Sequence, residues 1–355
     1  MTSEERVLAA CAFRRPDRIP RFDSFWEMPE SWRGLVGPAE ELTDISIWAG
    51  DETILPTRAR HVREEGGWIY ERDGWGRLVR KRPGAYFVET LEVAIPDGAD
   101  PDSVRFDSPT LEARYLMGRN TWTELLEALE RSKQRFCVFA KTGGPFLRTT
   151  FVRGEAQFLL DIAQDLPLAR VLAEKVGEHL SAVGVEEIKR WSLGETGIWI
   201  YDDMAYNDSP LFSPKAFETI FLPAYRRMIR AYKAAGARYV FLHSDGNVMP
   251  LLDMLVEAGI DGLHPIERRA GMDPFLLRRR YPRLILAGGL CNTEVLLNGP
   301  VSKIRDETRR LIDLGRDGGV IVGTHSISPE VPVEHFLAYD EVCRTEGNFA
   351  ALRPV

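Results

Sequence analysis

The sequence predicts a closed (β/α)8 barrel, and this prediction rests on the regular spacing of its apolar runs. Six short apolar runs are each followed by a polar residue or glycine, with amphipathic helical patterns between them. Such alternation is typical of right-handed βαβ units in a parallel sheet. An open, doubly wound sheet is the alternative, although no GxGxxG follows a strand. The runs lie at residues 137–140, 197–201, 239–242, 260–263, 284–287 and 319–322.

The N-terminal segment supplies the two strands that bring the count to eight. Thr2 and Glu5 have capping-box spacing, which predicts a short helix over 7–13. Residues 21–26 mix polar and apolar side chains and predict the first strand, and residues 44–48 predict the second.

Residues 67–92 interrupt this pattern. An Asp73-Gly74 turn between two strand-like runs predicts a β-hairpin, and a third strand is expected from Tyr86. The segment is too short to bury a core of its own. We therefore expect an antiparallel insertion within a single domain that covers residues 1–355.

Composition restricts the class of protein. Of 355 residues, 44% are apolar and 28% are charged, which is the balance of a globular protein with a full core. The net charge of −7 offers no broad basic surface for nucleic acid or anionic lipid. Four scattered cysteines form no CxxC pair, no apolar run reaches membrane-spanning length, and the N-terminus shows no signal-peptide pattern. We expect a cytoplasmic protein with no membrane partner.

The polar residues that follow the apolar runs are the candidates for an active site, because such barrels carry it at the strands' C-terminal ends. His243 and Asp245 follow the run 239–242, and residues two apart in an extended segment point the same way. With His325 they could supply three ligands to a metal, with one position open as in catalytic zinc sites. The same groups suit proton transfer. The alternative is that His243 ends a strand and Asp245 starts a turn before Gly246.

Other strand ends add further candidates. Asp202 and Asp203 place carboxylates on opposite sides of a strand end, so at most one should face the barrel axis as a catalytic or orienting group. The alternative is an acid at the start of the next helix. Glu267 is a candidate substrate-binding wall residue. Cys291 is a further candidate ligand but is expected to be a small buried residue, and His264 is expected to point into the core.

Four more residues complete the candidate substrate-binding set. Phe151 and Tyr201 would suit a flat apolar substrate, although aromatic residues beside strands are more often part of the core. Asp23 lies on the predicted first strand, and Asn247 follows the central histidine.

Several motifs together resemble the uroporphyrinogen decarboxylase superfamily. Besides His325, they lie at residues 16–20 (Pro-Asp-Arg-Ile-Pro), 73–77 (Asp-Gly-Trp-Gly-Arg), 144–154, 202–214, 243–247 (His-Ser-Asp-Gly-Asn), 288–290 and 328–332. The resemblance implies a TIM barrel and two main chemistries. One is decarboxylation of a porphyrinogen by an arginine-rich site. The other is methyl transfer by corrinoid-linked enzymes, which bind zinc through a His-x-Cys pair and a later cysteine.

This chain departs from both patterns. Its first strand lacks the arginine-rich signature of the decarboxylases. The zinc-binding positions read His243-Ser-Asp245 and His325, so histidine and aspartate stand in place of cysteine. Zinc is compatible with these ligands, and a metal-free acid–base site is the alternative.

These observations predict a methyltransferase that moves a methyl group between a small substrate, such as a methoxylated aromatic compound, and a corrinoid carried by a partner protein. A decarboxylase of a smaller carboxylated substrate is the second hypothesis, and it needs Arg21, Lys141 and Arg148 in the cleft. A barrel that binds a ligand without catalysis is the third.

Overall fold

The computed structural model describes residues 1–24, 30–85 and 87–350 of the chain, and within them eleven strands form two sheets. The strands are β1 (Ile45–Trp48), β2 (Arg60–Glu65), β3 (Trp68–Arg72), β4 (Leu78–Lys81), β5 (Glu89–Glu92), β6 (Cys137–Gly143), β7 (Gly197–Tyr201), β8 (Tyr239–His243), β9 (Gly262–His264), β10 (Ile285–Gly289) and β11 (Val320–Gly323).

Twelve α-helices accompany these strands in the same residues. They are α1 (Ser3–Cys11), α2 (Ala39–Leu42), α3 (Trp122–Arg135), α4 (Pro145–Arg153), α5 (Glu155–Gln164), α6 (Leu166–Arg190), α7 (Pro214–Ala216), α8 (Leu222–Ala234), α9 (Leu252–Ala258), α10 (Pro274–Arg280), α11 (Val301–Leu314) and α12 (Val333–Thr345). A π-helical stretch, Phe217–Phe221, joins α7 to α8. No helix in the described parts of the chain combines the length and apolarity that crossing a bilayer requires.

The larger sheet has seven parallel strands in the order β1-β6-β7-β8-β9-β10-β11. The α/β class is therefore confirmed, and the curled sheet is consistent with a TIM barrel. The predicted first strand is represented by a bridge between Arg21 and Val322 of β11, and the Arg21 carbonyl accepts from the Asp44 N–H just before β1. This segment thus lies between the two edge strands. The end of the predicted strand, at residues 25–26, is outside the described residues.

The smaller sheet is antiparallel, with the order β2-β3-β4-β5, and is separate from the parallel sheet. It contains the hairpin predicted at 67–92, whose turn is held by the Asp73 carboxylate accepting from the Trp75 and Arg77 N–H groups. The expected third strand is β5, and Tyr86 is outside the described residues. Strand β2 escaped prediction because its six residues are all exposed and show no apolar alternation.

The inside of the parallel sheet is filled by aromatic side chains, and α1 lies against its base. The ring of Trp199 stacks on Phe241 with centroids 4.7 Å apart, and Phe139 packs edge-on to Phe241. Val7 and Cys11 of α1 belong to the same buried cluster. The predicted capping box starts α1, because the Thr2 hydroxyl accepts from the Glu5 N–H. This apolar floor leaves the opposite ends of the strands as the place for polar side chains.

Candidate active site

The inward faces of three neighbouring strands change from apolar to polar at their C-terminal ends. Because residues two apart share a face, the strands β6, β7 and β8 read Phe139–Lys141, Trp199–Tyr201 and Phe241–His243 on this face. Tyr201 and His243 are also paired in the register of β7 and β8, and their rings stack with centroids 4.2 Å apart. Lys141, Tyr201 and His243 therefore form a polar layer directly above the aromatic floor.

The structure brings the three predicted metal ligands together. The Nε2 atom of His325, which follows β11, lies 3.3 Å from Oδ1 of Asp245. The Nε2 atom of His243 lies 3.6 Å from the same oxygen. One ligand atom from each of the three residues lies within 4.8 Å of the others. The two imidazoles thus converge on one carboxylate oxygen although 82 positions separate them in the chain.

The other nitrogen of each imidazole already has a partner. Nδ1 of His243 lies 2.7 Å from Nδ1 of His264, and Nδ1 of His325 lies 3.1 Å from the Ser326 hydroxyl. These contacts orient both rings so that Nε2 faces Asp245. His264 is buried in the core, as predicted, between Phe22 and Trp199. Its contact with His243, however, makes it part of the site.

Burial and like charge set the protonation of this centre. Burial first, and then the nearby charges of Asp203 and Glu267, together raise the pKa of the Asp245 carboxyl to about 8. Burial likewise raises the pKa of Asp203. It lowers the pKa of His243 well below its usual range and also lowers that of His325. Neutral imidazoles beside crowded carboxyl groups favour a bound cation, because it would relieve the repulsion.

The donor set fits a zinc ion. Oδ1 of Asp245 is buried and has no hydrogen-bond partner among the described residues, a condition that costs free energy unless an ion or proton satisfies it. Two imidazole nitrogens and one carboxylate oxygen are typical ligands of catalytic zinc. Cys291 lies outside this trio; its sulfur instead accepts from the Glu294 N–H at the start of the following helical turn.

The two adjacent aspartates occupy different environments. The carboxylate of Asp202 is fully buried and accepts hydrogen bonds from the N–H of Leu147 at 2.6 Å and from the Tyr225 hydroxyl at 2.7 Å. Asp203 instead lies at the mouth, where its side chain is 43% exposed and its Oδ1 lies 3.8 Å from Nε2 of His243. The same oxygen accepts from the Asp245 N–H at 3.1 Å. The structure therefore places Asp203, and not Asp202, beside the two histidines.

Two predicted substrate-binding residues lie beside the centre, and a third, Asn247, follows Asp245 by two positions in the chain. Tyr201 covers one face of the His243 ring, as described above. Glu267 accepts a hydrogen bond from the Gly246 N–H at 2.7 Å. Asn247 caps the turn that follows, because its side-chain oxygen accepts from the Met249 N–H. Gly246 has φ of +77°, and a Cβ there would meet the Tyr206 carbonyl oxygen at 2.5 Å, so glycine is required between Asp245 and Asn247.

Two other predicted substrate-binding residues lie apart from it. The carboxylate of Asp23 is fully buried, pairs with Arg21 at 3.0 Å and accepts from the Tyr339 hydroxyl. Phe151 on α4 packs edge-on to Trp75 of the antiparallel sheet, with ring centroids 5.6 Å apart. The structure thus does not bring Asp23 to the centre, and it places Phe151 against the antiparallel sheet, with the Arg148 guanidinium 5.1 Å from its ring.

Sequence reasoning missed Glu52, a buried acid that pairs with Lys141 of the polar layer. Glu52 is 7% exposed, and its carboxylate accepts from the Gly143 N–H and from Arg148. Burial alone would raise the pKa of Glu52, but the charges of Lys141 and Arg148 outweigh it and hold this pKa below its ordinary value. Glu52 lies in a stretch without periodicity, which gave no signal. The sequence did contain a signal for Lys141, because Lys141 follows Phe139 by two positions.

Comparisons with known proteins agree with this architecture. Residues 107–345 match the family model described as Uroporphyrinogen decarboxylase (URO-D). The chain therefore belongs to the uroporphyrinogen decarboxylase family. No curated protein gives a significant sequence match.

Among solved structures, a methyltransferase from Methanosarcina mazei is similar over 97% of this chain and 98% of its own, with a TM-score of 0.65 and 17% identity. A B12-independent methionine synthase from Shewanella sp. W3-18-1, in complex with selenomethionine, matches over 95% of this chain and 94% of its own, at a TM-score of 0.39 and 10% identity. The first of these similarities supports the fold assignment.

Proposed function

We propose that the protein is a methyltransferase and that His243, Asp245 and His325 form its catalytic centre. The methyl group would move between a small substrate and a corrinoid carried by a partner protein. The convergence of two imidazole Nε2 atoms on an unpartnered carboxylate oxygen carries this proposal. Family membership and the methyltransferase among the similar folds support the class of reaction.

Zinc is the metal that these three side chains suit, with His243 and His325 binding through Nε2 and Asp245 through Oδ1. When bound, zinc supplies Lewis-acid polarisation of an oxygen such as that of a methoxy group. The chain's own residues do the rest. The contacts of Tyr201 and His264 hold the His243 ring in place. Asp203, whose carboxyl has a raised pKa and lies 3.8 Å from the His243 ring, can hold a proton for the leaving oxygen.

The charges near the centre weigh against a porphyrinogen-like substrate with many carboxylates. Arg21 is 2% exposed and is already paired with Asp23 and Asp340. The other two basic residues that a decarboxylase would need, Lys141 and Arg148, share the carboxylate of Glu52. Three further acids lie around the histidines: Asp203, Asp245 and Glu267. Such a mouth would repel a polyanion.

Methyl transfer can be measured with a Co(I) corrinoid protein and a panel of methoxylated aromatic compounds. The spectral change on methylation of cobalt reports each turnover. The test compares the wild type with His325→Ala and with His335→Gln, a matched control. His335 is a partly buried histidine on α12 whose ring hydrogen-bonds the Leu296 carbonyl.

We expect His325→Ala to lose at least about a hundredfold in rate, as for loss of a metal ligand or proton-transfer group, while His335→Gln stays within a few-fold of wild type. Equal rates for wild type and His325→Ala would remove this centre from the mechanism. A protein that binds the aromatic compound equally in both forms and methylates nothing would point instead to the non-catalytic barrel.

A further inference from the structure

A small group of charged side chains stands beside the catalytic centre and is not used by the mechanism above. Nε of Arg148 donates to Oε1 of Glu52 at 2.5 Å, and Nζ of Lys141 lies 3.5 Å from the same oxygen. The backbone N–H of Gly143 donates to the other carboxylate oxygen. Two cations therefore share one buried anion. Within ion-pair distance, the described residues give this group one cation more than its anions.

Lys141 has hydrogen-bonding capacity to spare. Its one ion pair within the described residues is with Glu52, at the limit of hydrogen-bond distance, whereas an ammonium group has three donors. The fully buried Glu187 carboxyl, whose pKa burial raises well above its usual range, acts on Lys141 without forming an ion pair. The side chain is 19% exposed, so water reaches it. Lys141 also follows Phe139 on the inward face of β6, which places it on the same side of the sheet as Tyr201 and His243. Its unused donors are available to a ligand in the mouth.

The mouth is consequently divided by charge. Nζ of Lys141 lies 5.4 Å from the centre of the Tyr201 ring, and this ring stacks at 4.2 Å on His243. On the His243 side are the acids that raise the pKa of Asp245. On the Lys141 side is the cationic group, with the Arg148 guanidinium 5.1 Å from the Phe151 ring. Asp203 borders both sides, because the charges of His325 and of Arg148 both act on its carboxyl. A molecule with one anionic end and one uncharged end would be oriented by this field.

We propose that the substrate carries a single carboxylate, which binds Lys141 and Arg148 while its uncharged end reaches the centre formed by His243, Asp245 and His325. The identification of that end as the methyl-bearing one rests on the proposed methyltransferase function. The group has one more positive charge than negative charges, and this favours binding of a monoanion over a neutral compound and over a polyanion. Phe151 supplies an apolar wall beside the carboxylate, which favours an aromatic acid.

Binding alone tests this proposal, with no corrinoid protein present. Titration calorimetry of the full chain would use 4-methoxybenzoate and its neutral counterpart 4-methoxybenzamide, against wild type, Lys141→Gln and Lys175→Gln. Lys175 is a matched control outside the site: its ammonium lies 3.0 Å from an Asp102 oxygen and 5.1 Å from the Phe106 ring, and its side chain is 22% exposed.

Wild type should bind the acid at least about tenfold more tightly than the amide, the effect of one charge-assisted hydrogen bond. Lys141→Gln should abolish this preference, and Lys175→Gln should keep it. A wild type that binds both compounds equally, or fails to bind the acid, overturns the proposal, as does a preference that survives Lys141→Gln. A preference for the acid without methyl transfer would leave the subsite standing and reject only the methyltransferase function.

Discussion

Replacing His264 by phenylalanine should weaken zinc binding while leaving the barrel folded. Phenylalanine keeps the ring that packs against Phe22 and Trp199, with centroids 5.1 and 5.3 Å away. It removes both ring nitrogens: Nδ1, which lies 2.7 Å from Nδ1 of His243, and the buried Nε2. The contact between the two Nδ1 atoms fixes Nδ1 of His243 as the hydrogen-bonded atom and leaves Nε2 of His243 free to bind metal. Loss of such an orienting partner typically costs 10- to 100-fold in metal affinity, or about 1.4 to 2.7 kcal/mol.

Competition with a chromophoric zinc chelator gives the affinity, and urea unfolding of the metal-free protein gives the stability. We expect unfolding free energies of His264→Phe and wild type to agree within about 1 kcal/mol, because the apolar contacts are kept. The control is His335→Phe, which removes one imidazole hydrogen bond far from the centre and should leave zinc affinity unchanged. Unaltered zinc affinity in His264→Phe would refute the argument that His264 orients His243.

Two further predictions concern the scaffold. Asp161→Ala should destabilise the protein by about 3 kcal/mol in urea unfolding, because the buried Arg153 guanidinium loses its buried carboxylate partner, 2.7 Å away, and keeps the exposed Asp97. Asp102→Ala, at an exposed ion pair, should cost less than about 1 kcal/mol. Arg153 hydrogen bonds outweigh burial and lower the Asp161 pKa, so this stabilisation should be present at neutral pH and lost as pH falls through that pKa. Gly246→Ala should lower the thermal midpoint by several degrees, because φ is +77° and the new Cβ would meet the Tyr206 carbonyl.

Much of the fold could be predicted from the sequence, because each strand of a buried parallel sheet has a local sequence pattern. An apolar run that ends in a polar residue marks both a buried strand and its outer end, and all six such runs correspond to strands of the parallel sheet. Strand β9 shows the limit of this signal. The run at 260–263 placed it early, whereas the strand is Gly262–His264. His264 is therefore the last residue of the strand, and it is paired with His243 in the register of β8 and β9.

The residues of the candidate site could be predicted from the sequence where they lie at strand ends, and could not be predicted elsewhere. His243 ends β8, Asp245 follows it and His325 follows β11, so the barrel topology alone predicts that they meet. The contact of Glu52 with Arg148 and that of Arg21 with Asp340 join segments far apart in sequence, so no local pattern predicts them. Likewise, Asp202 and Asp203 have identical side chains, and tertiary contacts separate their environments: the first N–H groups of α4 and the Tyr225 hydroxyl meet Asp202.

Zinc K-edge X-ray absorption of the purified protein tests the central claim most directly, since it counts imidazole and oxygen ligands around the metal. We predict one zinc per chain with two imidazoles and oxygen donors, and one imidazole fewer in His325→Ala if metal is retained. A protein that takes up no zinc at neutral pH, or whose zinc shell is the same after both His243 and His325 are replaced, would contradict the claim that these side chains form a metal centre.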